Sequence, residues 1–187
     1  MQSLIIYLNT VMPLSKASKE ALTGVCKELH FKKNSDVQPI GHTCKTIYFL
    51  KKGLARIYYF KNEIDITESF SFENNIVVRF ESLFTGRPSK KGIQVLEDSD
   101  FIAIDANQLF KLYTKHPELE RVFARVFEAA HVETINRIES IQFHTAEERY
   151  NALLKEAPNV IKRVPLKYIA SYLGITPVSL SRIRAQK

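Results

Sequence analysis

The chain has 187 residues, of which 45% are hydrophobic and 25% charged, as in a globular protein of one large or two small domains. No apolar run approaches the ~20 residues of a membrane span, and two cysteines without a paired motif favour a reduced, cytoplasmic setting over a disulfide scaffold. The formal net charge of +7 favours a polyanionic partner such as nucleic acid.

The first thirty residues show helical periodicity. A short apolar turn ending near Pro13 contains Leu4, Ile5 and Leu8. Ser15 is placed to cap a second helix. That helix carries on one side Leu22, Val25, Cys26 and Leu29. We expect both helices to pack on a core.

A β domain is predicted from about Phe31 to Ile104, because short β-branched and aromatic runs alternate there with Gly, Pro, Asn and Asp. The runs are Ile47–Leu50, Leu54–Phe60, Ile64–Phe72, Ile76–Phe80, Ile93–Leu96 and Phe101–Ile104. Lys52-Gly53 and Lys61-Asn62 are suitable hairpin turns. Regular short strands of this kind favour an antiparallel sandwich or barrel.

A helix resumes near Ala106 and is broken at His116-Pro117, where a long helical stretch begins and runs to about Phe143. Its apolar positions are Leu119, Phe123, Val126 with Phe127, Ala130, Thr134, Ile138 and Ile141. A helix of this length spans about 40 Å. It is either a core helix lying across the β domain or a parallel dimer helix. We favour the dimer helix, because the C-terminal segment described below predicts a helix-turn-helix, and proteins with this motif bind two half-sites as dimers.

A new helix is predicted after a hinge centred on His144, since Thr145 and Glu148 form a capping box. This helix stops before Pro158. Residues 145–187 are then a small three-helix domain, which we expect to lean on the long helix because its own core is small.

The last residues, Val164 to Lys187, predict a helix-turn-helix. One apolar face contains Leu166, Ile169, Ala170 and Leu173. Gly174 follows where a helix end needs positive φ, Thr176 is placed as an N-cap, and Pro177 as the first helical residue. Leu180 and Ile183 are expected to face inward.

The outer face of this segment is basic, and no acidic residue follows Glu156. Such a segment attracts a DNA duplex through phosphate contacts. The DNA-binding candidates are Thr176, Pro177, Ser179, Ser181, Arg182, Arg184, Lys187, Lys162, Arg163 and Lys167. Arg182 is the best candidate for a base contact, because a guanidinium can bind guanine through two hydrogen bonds.

The order of these parts resembles the Crp/Fnr family of bacterial transcription regulators. YIASYLGITPVSLSRIR, residues 168–184, is similar to the reading head of members common in Bacteroidetes. FESLFTGRPSKKGIQVLEDSD, residues 80–100, resembles the family's phosphate-binding cassette and the strand after it. The resemblance implies an α+β fold with an N-terminal antiparallel β-roll and flanking helices (1–116), a long dimerisation helix (117–144) and a C-terminal helix-turn-helix domain (145–187). It also implies a homodimer that reads a two-fold-related operator and contacts RNA polymerase.

Two motifs depart from the family's pattern. At the three base-contacting positions of the best-known members, an Arg-Glu pair and a later Arg, this chain has Pro177, Val178 and Arg182. In members that bind cyclic AMP the cassette holds a Gly-Glu pair and an Arg-Ser pair. The first aligns here with Arg79-Phe80 or Phe80-Glu81, and the second with Ser89-Lys90.

The effector-pocket candidates implied by the cassette are Arg79, Glu81, Gly86, Arg87, Ser89, Lys90 and Lys91. Because the family's ligand chemistry is largely replaced, we expect no cyclic-nucleotide cofactor, and instead an orphan pocket or a different small-molecule effector.

Enzymatic and metal chemistry find no support in the sequence. The five histidines lack metal-ligand spacing, and no nucleophile elbow, phosphate-binding loop or paired-carboxylate motif is present. One alternative to a transcription regulator stays open. It is a cyclic-nucleotide-binding signalling module whose C-terminal helices contact a protein.

Overall fold

The fold is described by a computed structural model, which covers residues 1–185. Its helices are α1 (Gln2–Val11), α2 (Lys16–Gly24), α3 (Phe80–Thr85), α4 (Ala106–Leu112), α5 (Pro117–Phe143), α6 (Ala146–Glu156), α7 (Val160–Arg163), α8 (Leu166–Leu173) and α9 (Pro177–Ala185). Its strands are β1 (Cys26–Phe31), β2 (Asp36–Gln38), β3 (Thr46–Lys52), β4 (Ala55–Lys61), β5 (Ile64–Ser71), β6 (Asn75–Val77), β7 (Gly92–Val95) and β8 (Ser99–Asp105).

The strands form two antiparallel sheets, in the orders β1-β8-β3-β6 and β2-β7-β4-β5. Side chains from both sheets share one buried cluster, which includes Leu50, Ile57, Ile93, Val95 and Phe101. This arrangement confirms the predicted antiparallel β-roll.

Two turns of the β-roll depend on unusual backbone angles. Asn62 and Glu63 both have positive φ between β4 and β5, as a two-residue hairpin of the primed type requires. Gly53, between β3 and β4, has φ +109, and a Cβ at this position would lie 2.8 Å from the Cα of Ser99. Only glycine therefore fits at the second turn.

A helical layer covers the outer face of the first sheet. α1, α2, α4 and the beginning of α5 pack there in a second core. Its fully buried members include Leu4, Leu22, Phe49, Leu109 and Phe123. Ser15 caps α2 as predicted, since its Oγ accepts a hydrogen bond from the Ser18 amide. The predicted bounds of the long helix are confirmed, because α5 begins at Pro117 and ends at Phe143.

Two predictions in the N-terminal half are wrong. Cys26 and Leu29 lie in β1, not in a helix, and this strand pairs in register with β8 from Cys26↔Ile104 to Phe31↔Ser99. Tertiary pairing decides the conformation here, because Leu29 and Phe31 pack on the core between the sheets. The run Ile76–Phe80 is only partly a strand, because Phe80 begins α3.

The C-terminal domain comprises α6 to α9, one more helix than predicted, because the single turn of α7 was missed. The predicted capping box of Thr145 and Glu148 is present at the start of α6. The domain's core is continuous with the β-roll, since Leu54 and Leu96 of the β-roll belong to the same buried cluster as Leu173. The domain does contact the long helix, since Arg137 of α5 donates to the Tyr172 carbonyl, but the expectation is incomplete because the domain also packs on the β-roll.

Candidate nucleic-acid interface

The turn between α8 and α9 has the geometry that its sequence predicts. Gly174 ends α8 with φ +70, and Thr176 Oγ1 accepts a hydrogen bond from the Ser179 amide at 3.1 Å. Pro177 is the first residue of α9. These local features fix where one helix ends and the next begins.

The packing of the two helices follows from their apolar residues. Ile169, Leu173 and Leu180 are buried, and Ile183 packs against the same cluster. Leu166 is an exception, since it lies exposed at the first position of α8 instead of on the inner face. The other apolar residues hold α9 against α8, so the opposite side of α9 faces solvent.

The outward side of α9 presents two free guanidinium groups. Arg182 and Arg184 are exposed and have neither a hydrogen bond nor an ion pair to any residue in 1–185. Ser181 is also exposed, although its hydroxyl donates to the Pro177 carbonyl at 3.0 Å. Ser179 is half-buried, with its Oγ 3.0 Å from Thr176 Oγ1. The geometry thus leaves the arginines, more than the serines, free to contact a partner.

Val178 was not among the sequence-predicted contact residues, yet its side chain is exposed at the start of α9 beside Pro177. An apolar side chain at the start of a reading helix can contact the methyl group of thymine. Its position as the second residue of the predicted recognition helix was the signal that could have identified it.

The other basic candidates divide into two groups. Lys162 and Lys167 are exposed, with the Lys167 ammonium 4.8 Å from the ring centre of Tyr168. Arg163, in contrast, is 26% exposed and forms ion pairs with Glu73 and Glu97, each at 2.6 Å. It is therefore not offered to a partner in this arrangement. Lys187 lies outside the described residues.

The cassette residues do not converge on one open site. Arg79 and Ser89 are buried, whereas Glu81, Arg87 and Lys90 are exposed. Gly86 has φ +68 and ends α3, so the chain turns at this glycine into the loop that follows the helix. Ser89 Oγ is engaged within the loop, because it donates to the Lys91 carbonyl at 2.7 Å.

Glu68, which the sequence did not single out, lies where two of these cassette cations meet. Its Oε1 is 3.6 Å from Arg79 Nη1, and its Oε2 pairs with the Lys91 ammonium. A carboxylate of the chain itself therefore supplies the negative charge that an anionic ligand would bring to these two cations.

The second half of α5 presents an apolar face that residues 1–185 leave exposed. The exposed members are Val132, Ile135, Ile138, Ile141 and Phe143. The first members of the predicted stripe, such as Leu119 and Phe123, are buried in the chain's own core. α5 is thus a core helix at its beginning, whereas these apolar side chains of its second half are exposed in residues 1–185.

Within residues 1–185, no helix has both the length and the apolar character needed to cross a bilayer. The same residues contain no group of three or more His, Cys, Asp or Glu side chains arranged to hold a metal ion.

The fold is similar to that of solved transcription regulators. FixK2 from Bradyrhizobium japonicum has a TM-score of 0.72 at 17% identity, over 87% of this chain and 84% of that one. A transcriptional regulator of the Crp/Fnr family from Eubacterium rectale gives 0.71 at 19% identity, over 92% and 83%. The catabolite activator protein of Thermus thermophilus gives 0.60 at 14% identity, over 96% and 85%. No protein-family model and no curated protein sequence matches the chain. At these identities the likeness shows that the chain has the fold of Crp/Fnr regulators.

Proposed function

We propose that the protein is a DNA-binding transcriptional regulator of the Crp/Fnr type, and not an enzyme. The observation that carries the proposal is the outward face of α9, where Arg182 and Arg184 are exposed and unpaired among residues 1–185. No acidic residue follows Glu156, so this face meets DNA phosphates without local repulsion. A helix pair that docks on a protein has no need of such a surface.

We assign base reading and phosphate binding to different residues of this face. We assign Arg182 to guanine in the major groove and Val178 to thymine, and the support is that both side chains are exposed on the second helix of the motif. The phosphate contacts are assigned to Lys162, Lys167, Thr176, Ser179, Ser181, Arg184 and Lys187. Pro177 has no N–H to donate and is assigned only a packing contact with the DNA. Arg163 is left out of both sets because of its ion pairs.

We infer that the regulator is a cytoplasmic homodimer whose interface is the uncovered part of α5. Two side chains of this part of α5, Ile135 and Ile138, lie three residues apart on one helix face and are exposed in the single chain. A two-fold assembly presents two reading helices to two half-sites, which is how helix-turn-helix proteins reach high affinity. RNA polymerase is the further partner that transcription regulation implies.

For the effector we infer an orphan or altered site and not a cyclic-nucleotide pocket. Arg79 and Lys91 already share the carboxylate of Glu68. A cyclic phosphate would have to displace that carboxylate. We therefore expect that no cyclic nucleotide raises the melting temperature. A ligand that does bind, at a concentration about 100-fold above its dissociation constant, adds ~2.7 kcal/mol to the free energy of unfolding. A clear shift would favour the signalling-module alternative.

The proposal is tested on a genomic site selected in vitro. Arg182→Ala should lower the preference for that site over random duplex, since one good bidentate base contact contributes about 1–3 kcal/mol of discrimination. Lys162→Ala should weaken binding to all duplexes about equally and reduce the salt dependence. If the wild-type chain selects no duplex, the proposed function is wrong.

A further inference from the structure

The C-terminal domain is docked on the β-roll through α8. β5 lies at the edge of its sheet, where strand amides would otherwise be unpaired. α8 covers this edge, and the Thr67 amide donates to Ser171 Oγ at 3.1 Å. The rings of Phe70 and Tyr172 lie 5.1 Å apart beside this hydrogen bond. The first helix of the helix-turn-helix is therefore held by the β-roll.

One polar contact of this interface is built around Arg56 in β4, which is 1% exposed. Its guanidinium is fixed in plane by a bidentate pair with Asp65, at 2.6 and 2.7 Å, and by Gln94. Its faces contact Tyr58 of the β-roll and Tyr168 of α8, whose ring centre is 3.7 Å away. The contact with Tyr168 exists only while α8 is docked.

A second polar contact holds Arg163, at the end of α7. Its Nη2 lies 2.6 Å from Glu73 Oε1, 2.6 Å from Glu97 Oε1 and 2.9 Å from the Gly53 carbonyl. The two carboxylates and the carbonyl all come from the β-roll. The two carboxylates give Arg163 charge-assisted hydrogen bonds of the kind that a DNA phosphate would also accept. Lys162 and Lys167, on either side in sequence, remain exposed.

We propose that Glu73 and Glu97 form an acidic latch that competes with DNA phosphate for Arg163 and keeps the helix-turn-helix in a docked state of lower DNA affinity. This inference rests on the proposed function and adds its regulation. While the latch is closed, Arg163 makes no phosphate contact and α8 stays on β5. When it opens, Arg163 rejoins the basic surface formed with Lys162 and Lys167.

The latch is tested by replacing both carboxylates with the neutral, similarly shaped amides, Glu73→Gln with Glu97→Gln, in the full chain. Binding of a fluorescent duplex is measured by anisotropy at several salt concentrations. Each chain should gain one phosphate contact, so a dimer on one duplex gains two, and the slope of log K against log salt should steepen by about 1.8. The double variant should bind more tightly at low salt, and its advantage should shrink about 12-fold between roughly 0.1 and 0.4 M salt.

Two further variants separate the latch from a change in net charge. Glu20→Gln with Glu120→Gln removes the same charge from exposed positions of α2 and α5 in the helical layer, and should leave the slope unchanged. Arg163→Ala should leave the wild-type slope unchanged, but should restore that slope in the Glu73→Gln, Glu97→Gln background. If Arg163→Ala lowers the wild-type slope by about 1.8, the proposal is overturned, because Arg163 of both chains would then already contact DNA.

Docking of α8 on the β-roll can also be measured without DNA, so the latch can be tested independently of DNA binding. Hydrogen exchange of the Thr67 amide reports docking, since its partner Ser171 belongs to α8. We expect faster exchange in the double Gln variant, and also in Tyr168→Leu, which weakens the interface without changing a charge. Unchanged exchange in both variants overturns the latch. If exchange accelerates but no duplex binds to any form, the proposed function fails while the docking contact stands.

Discussion

The uncovered face of α5 gives the sharpest prediction about assembly. Ile135 is 41% and Ile138 50% exposed in the single chain, so roughly half of each side chain remains to be buried. Full burial of an isoleucine stabilises by about 1.5–3 kcal/mol, so each contributes about 1 kcal/mol to a dimer. Two-fold symmetry presents four such side chains.

Replacing Ile135 and Ile138 together with alanine should remove about 3 kcal/mol from dimer formation, because alanine keeps only the Cβ. This loss raises the dimer dissociation constant roughly 100-fold. Sedimentation equilibrium over a range of concentrations measures the constant directly. The melting temperatures of the double alanine variant and the wild type, measured by circular dichroism, show whether the variant keeps its fold.

Ile64→Ala is the matched control, since Ile64 is 62% exposed but lies beside the β4–β5 turn and not on α5. It should leave the dissociation constant unchanged. If the double alanine variant dimerises as tightly as the wild type, or if Ile64→Ala dissociates the dimer instead, the assignment of the interface is refuted.

Three further predictions concern stability. Gly53→Ala should destabilise by several kcal/mol in denaturant unfolding, since the positive φ and the close backbone both exclude a Cβ, whereas Gly24→Ala meets open space and should have little effect. Thr176→Ala should cost about 1 kcal/mol through loss of the N-cap of α9, and an unchanged melting curve would contradict that role. The hydrogen bonds from Arg163 lower the pKa of Glu73 below its ordinary value of 4.5. Its contribution to docking is therefore present above about pH 4.5 and is lost as the pH falls through the lower folded-state value. Wild-type stability should accordingly fall more steeply below that pH than the stability of Arg163→Ala, and parallel curves would contradict the ion pair.

The features that were predicted correctly are those that neighbouring residues specify. Gly174 and Thr176 fix the turn before α9 within a few residues. Pro117 marks the start of α5, and the capping box of Thr145 and Glu148 marks the start of α6. Each signal acts within one helical turn, so it can be recognised without knowing the rest of the fold.

The features that were missed depend on partners distant in sequence. Glu73 and Glu97 lie 90 and 66 residues before Arg163, so nothing near Arg163 shows that it is occupied. In the same way, Glu68 meets the cassette only after the β-roll has folded. Leu29 is compatible with a helix until β8 is available as a pairing partner for its strand. Long-range pairing thus decides which basic residues are free.

The central claim is that two α9 helices, one from each chain of a dimer, read one duplex. The most direct test is the mass of the complex on a duplex selected in vitro, combined with footprinting of its contacts. We expect two chains per duplex and two protected half-sites about 10 base pairs apart, centre to centre. A single chain per duplex, or two chains that protect no pair of related half-sites, would contradict it.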